Sequence, residues 1–300
     1  MNYSYFALVF SITIGFLTGC RPTSEITMPN PSVNWQALSF VCHHEEGQNP
    51  PDREAEAWYQ EANALYRLGM AKERTVDFVE SVKLLRRAAE RGHIKAMNNL
   101  VLAYLNGEGI AQSDSAAVEW VERLIQNNSG MGYYHMGVFL EQGIGVKSDR
   151  KAALTYFRKA ADLGNAQGQL VVGRKVAEAV AQTTERTVGF QVARMMLQCA
   201  LDQGLAEAGY YLGKHYQIAE EKVPEALESF QASAKLGHSQ SLWTLSFLFD
   251  GRSSPGPSPD AARAACYVRL AREADEDKTK TFPNLDKVCP LPPRPMPAMS

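Results

Sequence analysis

The sequence has almost no excess of charge of either sign. Its 31 lysines and arginines stand against 33 aspartates and glutamates, so the formal net charge is −2. A protein that binds nucleic acid through phosphate contacts needs a basic field, and this balance argues against one. We therefore expect no nucleic acid partner. Apolar residues make up 45% of the chain and charged residues 21%, a composition that can bury a core and is too apolar to stay disordered.

A recognisable catalytic constellation is also missing. The string that comes nearest to a Gly-x-Ser-x-Gly elbow, at residues 251–256, has its second glycine one residue too late and no strand before it. His93, His135, His215 and His238 have no identifiable partner for acid-base chemistry, and the carboxylates are scattered as on solvated helix faces. We predict that the chain is not an enzyme and uses no catalytic residue, metal or cofactor.

No charged side chain occurs between Met1 and Cys20. The apolar run inside this stretch, Phe6 to Leu17, is too short to cross about 30 Å of hydrocarbon as a mature helix. It is typical of an export signal that is removed from the mature protein. Export would place the four cysteines after Cys20 in an oxidising compartment.

Those four cysteines, Cys42, Cys199, Cys266 and Cys289, allow three pairings of two disulfides, and their spacing does not select one. Cys199 and Cys266 fall in helical patterns, where a small buried apolar residue would serve equally. The string from Cys42 to Glu45, Cys-His-His-Glu, contains metal-ligand types. It lacks a second ligand group at a zinc-finger spacing, so we interpret it as a solvated loop.

After residue 50 the chain repeats itself. Two segments share the pattern of an apolar residue, then Gly-x-Gly and a β-branched residue, displaced by 36 residues: Leu100 to Ile110 and Met136 to Val146. A second pattern, a pair of small residues followed by glycine, closes each unit at Gly92, Gly164, Gly204 and Gly237. Such self-similarity is the signature of a repeat architecture.

The residue types of each unit predict a helical hairpin. Apolar residues three and four apart form one buried stripe on each of two helices, and the small pair lets the second helix approach its neighbours closely. The Gly-x-Gly allows the reversal between the helices, and Asp149 is placed to cap a helix that begins near Arg150. Beyond the repeats, the prolines after residue 282 argue against a terminal helix and favour an extended strap on the repeats.

These units resemble the SEL-one-like repeat, a relative of the tetratricopeptide repeat, with the fullest match from Met136 to Gly164. The resemblance implies an all-α, right-handed superhelical solenoid of about six helical hairpins, with a concave inner wall that binds proteins. We predict four parts: residues 1–19, a lipoprotein signal peptide; 20–52, an N-terminal linker and leading segment; 53–275, the solenoid; and 276–300, a proline-rich tail.

The segments before and after the repeats point to a narrower group within this family. Leu17 to Cys20 resembles the lipobox of bacterial lipoproteins, which implies lipidation of Cys20 and, with Arg21 in place of aspartate, a periplasmic protein anchored to the outer membrane. The segments Leu38 to Glu45 and Phe282 to Pro295 are similar to SEL-one-like lipoproteins that act as immunity proteins against type VI secretion phospholipase toxins. The implied partner is such an effector. The alternative is a general envelope scaffold or adaptor built on the same repeats.

The resemblance also selects candidate binding residues, because the fifth residue of the first helix faces the concave wall in tetratricopeptide repeats. Aligned in this way, four of the six units present an aromatic side chain, the type that dominates binding hot spots. An alternative is that these helices are rotated enough to bury the rings in the core. The candidate residues are Tyr59, Asn98, Tyr134, Tyr210 and Trp243, with Leu170 at the remaining position.

Overall fold

The computed structural model describes residues 39–45, 52–181 and 186–293. Within these ranges every regular element is helical. The last turn of α9 continues as a single π-helical turn, His215–Ala219. The helices, in chain order, are α1 Arg53–Lys72, α2 Thr75–Glu90, α3 Ile94–Asn106, α4 Asp114–Gln126, α5 Gly130–Gln142, α6 Arg150–Asp162, α7 Ala166–Val180, α8 Arg186–Asp202, α9 Ala206–Lys214, α10 Val223–Lys235, α11 Ser239–Phe249, α12 Ala261–Glu276 and α13 Leu285–Val288.

The first twelve helices pair in sequence order into six hairpins, α1 with α2 through α11 with α12, and each hairpin also packs on the next. We call the first helix of each hairpin the A helix and the second the B helix. The predicted fold class, an all-α solenoid of about six hairpins, is confirmed. The predicted signal peptide and Cys20 lie outside the described residues. None of the described helices is long and apolar enough to cross a membrane.

Side-chain caps start many of the helices, because the first backbone N–H groups of a helix have no partner inside it. Asp149 accepts hydrogen bonds from the N–H groups of Lys151 and Ala152, at 3.0 and 2.9 Å, and α6 begins at Arg150 as predicted. His93 and His238 cap α3 and α11 through Nδ1, at 3.1 and 3.2 Å. These two histidines therefore have a structural use at equivalent places of the repeat.

The two glycines of each Gly-x-Gly turn serve different purposes. The first, Gly107 or Gly143, ends the A helix with a positive φ of 72° or 80°. The second lies against the preceding B helix: a Cβ on Gly145 would lie 2.8 Å from the carbonyl oxygen of Asp114. A side chain at that second position would therefore push successive hairpins apart.

The core lies between the helices and continues from hairpin to hairpin. Close approach is possible because the third residue of each A helix is small: a Cβ on Gly168 would lie 2.7 Å from the Cβ of Ala160 on the previous B helix. Large side chains fill the space between these contacts. Those that are almost completely buried include Leu100, Leu124, Phe139, Phe157, Leu197, Phe230, Phe249 and Tyr267.

The tail after α12 packs on the last two hairpins and differs from prediction in one respect. Between Pro283 and Pro290 it forms the short helix α13. Its side chains Phe282 and Leu285 are buried, and the Cys289 carbonyl lies 3.0 Å from the Tyr267 hydroxyl. A single turn fits because the prolines flank it and do not interrupt it. Residues 294–300 lie outside the described ranges.

Two disulfides join the flanking segments to the solenoid, Cys42–Cys199 and Cys266–Cys289. The interpretation of Cys199 and Cys266 as plain apolar helix residues is therefore wrong. Cys199 on α8 is bonded to the segment before the repeats, and Cys266 on α12 is bonded to the tail after them. Such a partner is set by tertiary packing, and the local helical pattern carries no sign of it.

Candidate partner-binding surface

The predicted binding residues lie on five A helices and are all half-buried: Tyr59, Asn98, Tyr134, Tyr210 and Trp243. Leu170, at the remaining position, is buried. The half-buried side chains are thus neither fully exposed on the concave wall nor fully buried in the core, the two alternatives drawn from the sequence. These side chains pack partly against the solenoid and leave part of their surface to solvent.

Each of these side chains is held by a neighbour in its own hairpin or the next. Tyr59 stacks on His93 at a centroid distance of 4.5 Å, and the Trp243 indole N–H donates to Asp275 at 2.9 Å. Tyr134 and Tyr210 contact the buried rings of Phe157 and Phe230 at 5.8 and 5.9 Å, respectively. Burial raises the pKa of both tyrosines. Truncation of these rings would therefore weaken packing as well as any partner contact.

Asn98 differs from the aromatic candidates because it makes a polar contact between hairpins. Its Oδ1 lies 2.7 Å from Nε2 of His135, on the next A helix. Burial of the imidazole lowers the pKa of His135 to about 4. His135 is therefore a neutral donor to Asn98 at neutral pH, and it contributes to stability by joining two repeats.

Acidification is expected to destabilise the fold through this contact. Since the folded pKa of His135 is about 4 and the ordinary value 6.5, the unfolded chain binds a proton between these pH values that the folded chain does not. The free energy of unfolding should fall over that window as pH is lowered. In melts between pH 7.5 and 4.5, we expect His135→Gln, which keeps an N–H donor, to lose roughly 5 °C less than the parent. Equal losses would contradict this role.

A second set of A-helix side chains was not selected by the sequence analysis. Three of its members are exposed, Tyr66, Leu102 and Phe247, and three are half-buried, Val138, Arg174 and Lys214. We call this set the outer row; from Leu102 onward it lies four residues after the candidate position of each A helix. The amide of Asn99 donates to Asn63, 36 residues earlier, which shows that α1 and α3 are aligned with an offset of 36 residues. With this offset, Tyr66 is the residue of α1 that is equivalent to Leu102. The same register places Tyr59 three residues before the equivalent of Asn98. The outer row is Tyr66, Leu102, Val138, Arg174, Lys214 and Phe247.

The segment 39–45, which we call the N-terminal strap, crosses α5 to α8. Phe40 is buried, and Cys42 is joined to Cys199. The Glu45 carboxylate accepts hydrogen bonds from the Met131 N–H at 3.0 Å and from the Asn165 amide at 2.8 Å. The string from Cys42 to Glu45 is thus fixed to the repeats, although the side chains of Cys42, His43 and His44 remain exposed.

The metal-ligand types in the strap do come together. One ligand atom each of Cys42, His44 and Cys199 lies within 4.8 Å of the others. Both sulfurs are bonded to each other, which leaves the His44 imidazole as the ligand of this group that is not covalently engaged. The arrangement is that of a structural crosslink.

Comparison with known proteins agrees with this architecture. The sequence profile of the Sel1 repeat matches residues 62–93, 94–129 and 130–165. Immunity protein Pa5087 of Pseudomonas aeruginosa is 32% identical in sequence, and its crystal structure superposes with a TM-score of 0.59 over 86% of this chain and 96% of that chain. The chain belongs to the Sel1-repeat family. Immunity protein PA5088 of the same organism has 29% identity and a TM-score of 0.63, over 85% of this chain and 95% of that one.

More distant Sel1 proteins share only part of the chain. Human protein sel-1 homolog 2 is 28% identical over 138 residues, which is 39% of this chain and 20% of the human protein. The chain therefore matches about a fifth of that relative's length. The two Pseudomonas proteins are matched over almost their whole length and have the same kind of scaffold.

The three matched Sel1 repeats correspond to the first three hairpins, ending with α6. The hairpins from α7 to α12 repeat the same pairing although the Gly-x-Gly turn is absent from them. The connection from α7 to α8 includes residues outside the described ranges, and α9 passes through its π-helical turn before α10. The helix packing thus continues beyond the three matched repeats.

Proposed function

We propose that the chain is a periplasmic immunity protein that binds a secreted lipase toxin and neutralises it. The observation that carries the proposal is the likeness to Pa5087 and PA5088, named as immunity proteins, over nearly their full length. The lipase class and the type VI secretion origin come from the family resemblance of the flanking segments. Within the proposal, the A-helix side is the binding surface, with Tyr59, Asn98, Tyr134, Tyr210 and Trp243 as contact candidates.

The chain would act by binding and without catalysis of its own. Its histidines support this, because His93 and His238 cap helices and His135 is hydrogen-bonded to Asn98. Burial lowers the pKa of His215, which lies 3.1 Å from Glu220 inside the solenoid and away from solvent. Because these histidines are engaged in contacts within the solenoid, we assign the activity to the extended surface of the repeats, which binds a partner protein.

The test is titration of the full chain into a purified type VI secretion phospholipase effector from the same bacterium, which we call the lipase. We expect a complex of fixed stoichiometry in which phospholipid hydrolysis falls in proportion to the chain added, while the chain alone hydrolyses no ester. An unrelated phospholipase, which should keep its activity, is the control. A complex that leaves the lipase fully active would favour the scaffold or adaptor alternative. Absence of a complex would contradict the proposed function.

Anchoring through Cys20, which lies outside the described residues, completes the proposal. The acyl chains on Cys20 would hold the solenoid at the outer membrane, where an incoming lipase meets its substrate. Cys20→Ala is expected to move the exported protein from the membrane fraction to the soluble periplasmic fraction. Retention in the membrane fraction after export would replace the lipid anchor with an uncleaved N-terminal segment.

A further inference from the structure

The outer row continues through all six hairpins. Its members are separated by 36, 36, 36, 40 and 33 residues, and the last two intervals equal those between the closing glycines Gly164, Gly204 and Gly237. Tyr66, Leu102 and Phe247 are 37%, 42% and 41% exposed, respectively. Large apolar side chains therefore reach solvent at both ends of one continuous row.

The centre of the row is cationic. The Arg174 guanidinium lies 3.8 Å from the centroid of the Tyr211 ring, a contact that fixes its orientation. Among the residues that the structure describes, no acidic side chain forms an ion pair with Arg174 or Lys214. Lys175, next to Arg174, is already bound to Glu141 at 3.2 Å. Glu178, one turn beyond Arg174, makes no ion pair with it.

The apolar end at the first two hairpins is concave. A recess of about 230 Å³ lies between α1, α2 and α3, lined on the outer row by Tyr66 and Leu102. Asn63 and Asn99 lie on its wall, and the Tyr66 hydroxyl donates to Glu108 at 3.2 Å on its rim. This volume suits one large apolar side chain inserted from outside, with polar groups around its entrance.

We infer that the outer row binds a protein segment in which acidic side chains lie between large apolar ones. Apolar side chains of that segment would enter the recess at Tyr66 and Leu102 and pack on Phe247, and its carboxylates would pair with Arg174 and Lys214. Charge complementarity selects this partner, because a basic or neutral segment would leave both cations desolvated without a counterion. The inference rests on the proposed function in so far as the segment belongs to the toxin.

Charge reversal at the centre of the row is the first arm of the test. We expect the full chain with Arg174→Glu and Lys214→Glu to bind the lipase at least 100-fold more weakly. Its melting temperature should fall by only a few degrees, since the contact of Arg174 with Tyr211 is lost while the core is kept. The matched control is Arg150→Glu with Arg272→Glu, two exposed cations on the B helices α6 and α12. This control changes the net charge equally and should bind as the parent does. Equal weakening in both variants would overturn the inference, because it would reflect net charge alone.

The apolar end has a matched pair of leucines. Leu102 in the row and Leu154 on the B helix α6 are 42% and 46% exposed. Leu102→Ala is expected to weaken binding of the lipase about tenfold, and Leu154→Ala to change it less than twofold. If the lipase binds the parent and both variants equally, the proposed function stands and the outer row is not its binding surface.

A third arm does not depend on the toxin. A library of random peptides displayed on phage, selected on the full chain, should yield sequences with aspartate or glutamate between leucine or aromatic residues. Their binding should be lost with Arg174→Glu and Lys214→Glu and kept with Arg150→Glu and Arg272→Glu. Neutral or basic peptides would overturn the inference. So would binding of the parent to phosphatidylglycerol vesicles that the charge reversal abolishes, which would make a lipid surface the partner.

Discussion

Removal of the Cys42–Cys199 disulfide is expected to lower the free energy of unfolding by about 5 kcal/mol. The crosslink joins residues 157 apart in sequence, so it restricts a large part of the unfolded chain. The measurement is urea unfolding of Cys42→Ala with Cys199→Ala under oxidising conditions, compared with the parent. Alanine is used because Cys199 is buried, and a serine there would add the burial of a hydroxyl group.

The second disulfide provides the matched control. Cys266 and Cys289 are 23 residues apart, so Cys266→Ala with Cys289→Ala should lower the free energy of unfolding by only about 3 kcal/mol. Peptide mapping of the parent should recover the two linkages separately. A loss under 1 kcal/mol for the Cys42 and Cys199 variant would contradict a crosslink between the N-terminal strap and α8.

The hairpins could be predicted from the sequence because each is specified by residues close together in the chain. Asp149 caps α6 through N–H groups two and three residues away, and Gly143 ends α5 through its own backbone conformation. Because the sequence repeats, similar caps and helix-ending glycines recur in successive hairpins. Fold class and hairpin number follow from these short-range rules.

The N-terminal strap could not be predicted, because its contacts join residues more than eighty positions apart. The Glu45 carboxylate caps the start of α5 and accepts a hydrogen bond from Asn165. The residues next to Glu45 in sequence do not indicate either contact. Cys42 and Cys199 are likewise 157 positions apart in sequence, and their pairing depends on the path of the strap over the solenoid. The cysteine count left three pairings open, and tertiary structure selects between them.

The exposure of the candidate binding residues could be predicted only approximately, because the helix register was taken from another repeat. The tetratricopeptide position selects Tyr134 and Tyr210, which contact Phe157 and Phe230. Four residues further, Val138 and Lys214 belong to the outer row. One helical turn separates the two sets, and the packing of the helices determines how much of each side chain is left exposed.

Gly164→Ala is expected to lower the free energy of unfolding by about 3 to 4 kcal/mol. Gly164 has a positive φ of 89°, which alone disfavours alanine by about 1 to 2 kcal/mol. A Cβ there would also lie 2.5 Å from the Glu45 nitrogen and 2.7 Å from the His44 carbonyl oxygen, so the N-terminal strap must move. Movement would break the hydrogen bond from the Glu45 N–H to the Gly164 carbonyl.

Gly204→Ala isolates the backbone contribution, because Gly204 has a φ of 87° and no atom within 4 Å of an added Cβ. It should lower the free energy of unfolding by about 1 to 2 kcal/mol. The difference between the two variants measures contact with the strap. It should shrink when Cys42→Ala and Cys199→Ala are also present, since an untethered strap can move away from the new methyl group. Equal losses for Gly164→Ala and Gly204→Ala would mean that the strap does not lie on α6 in solution.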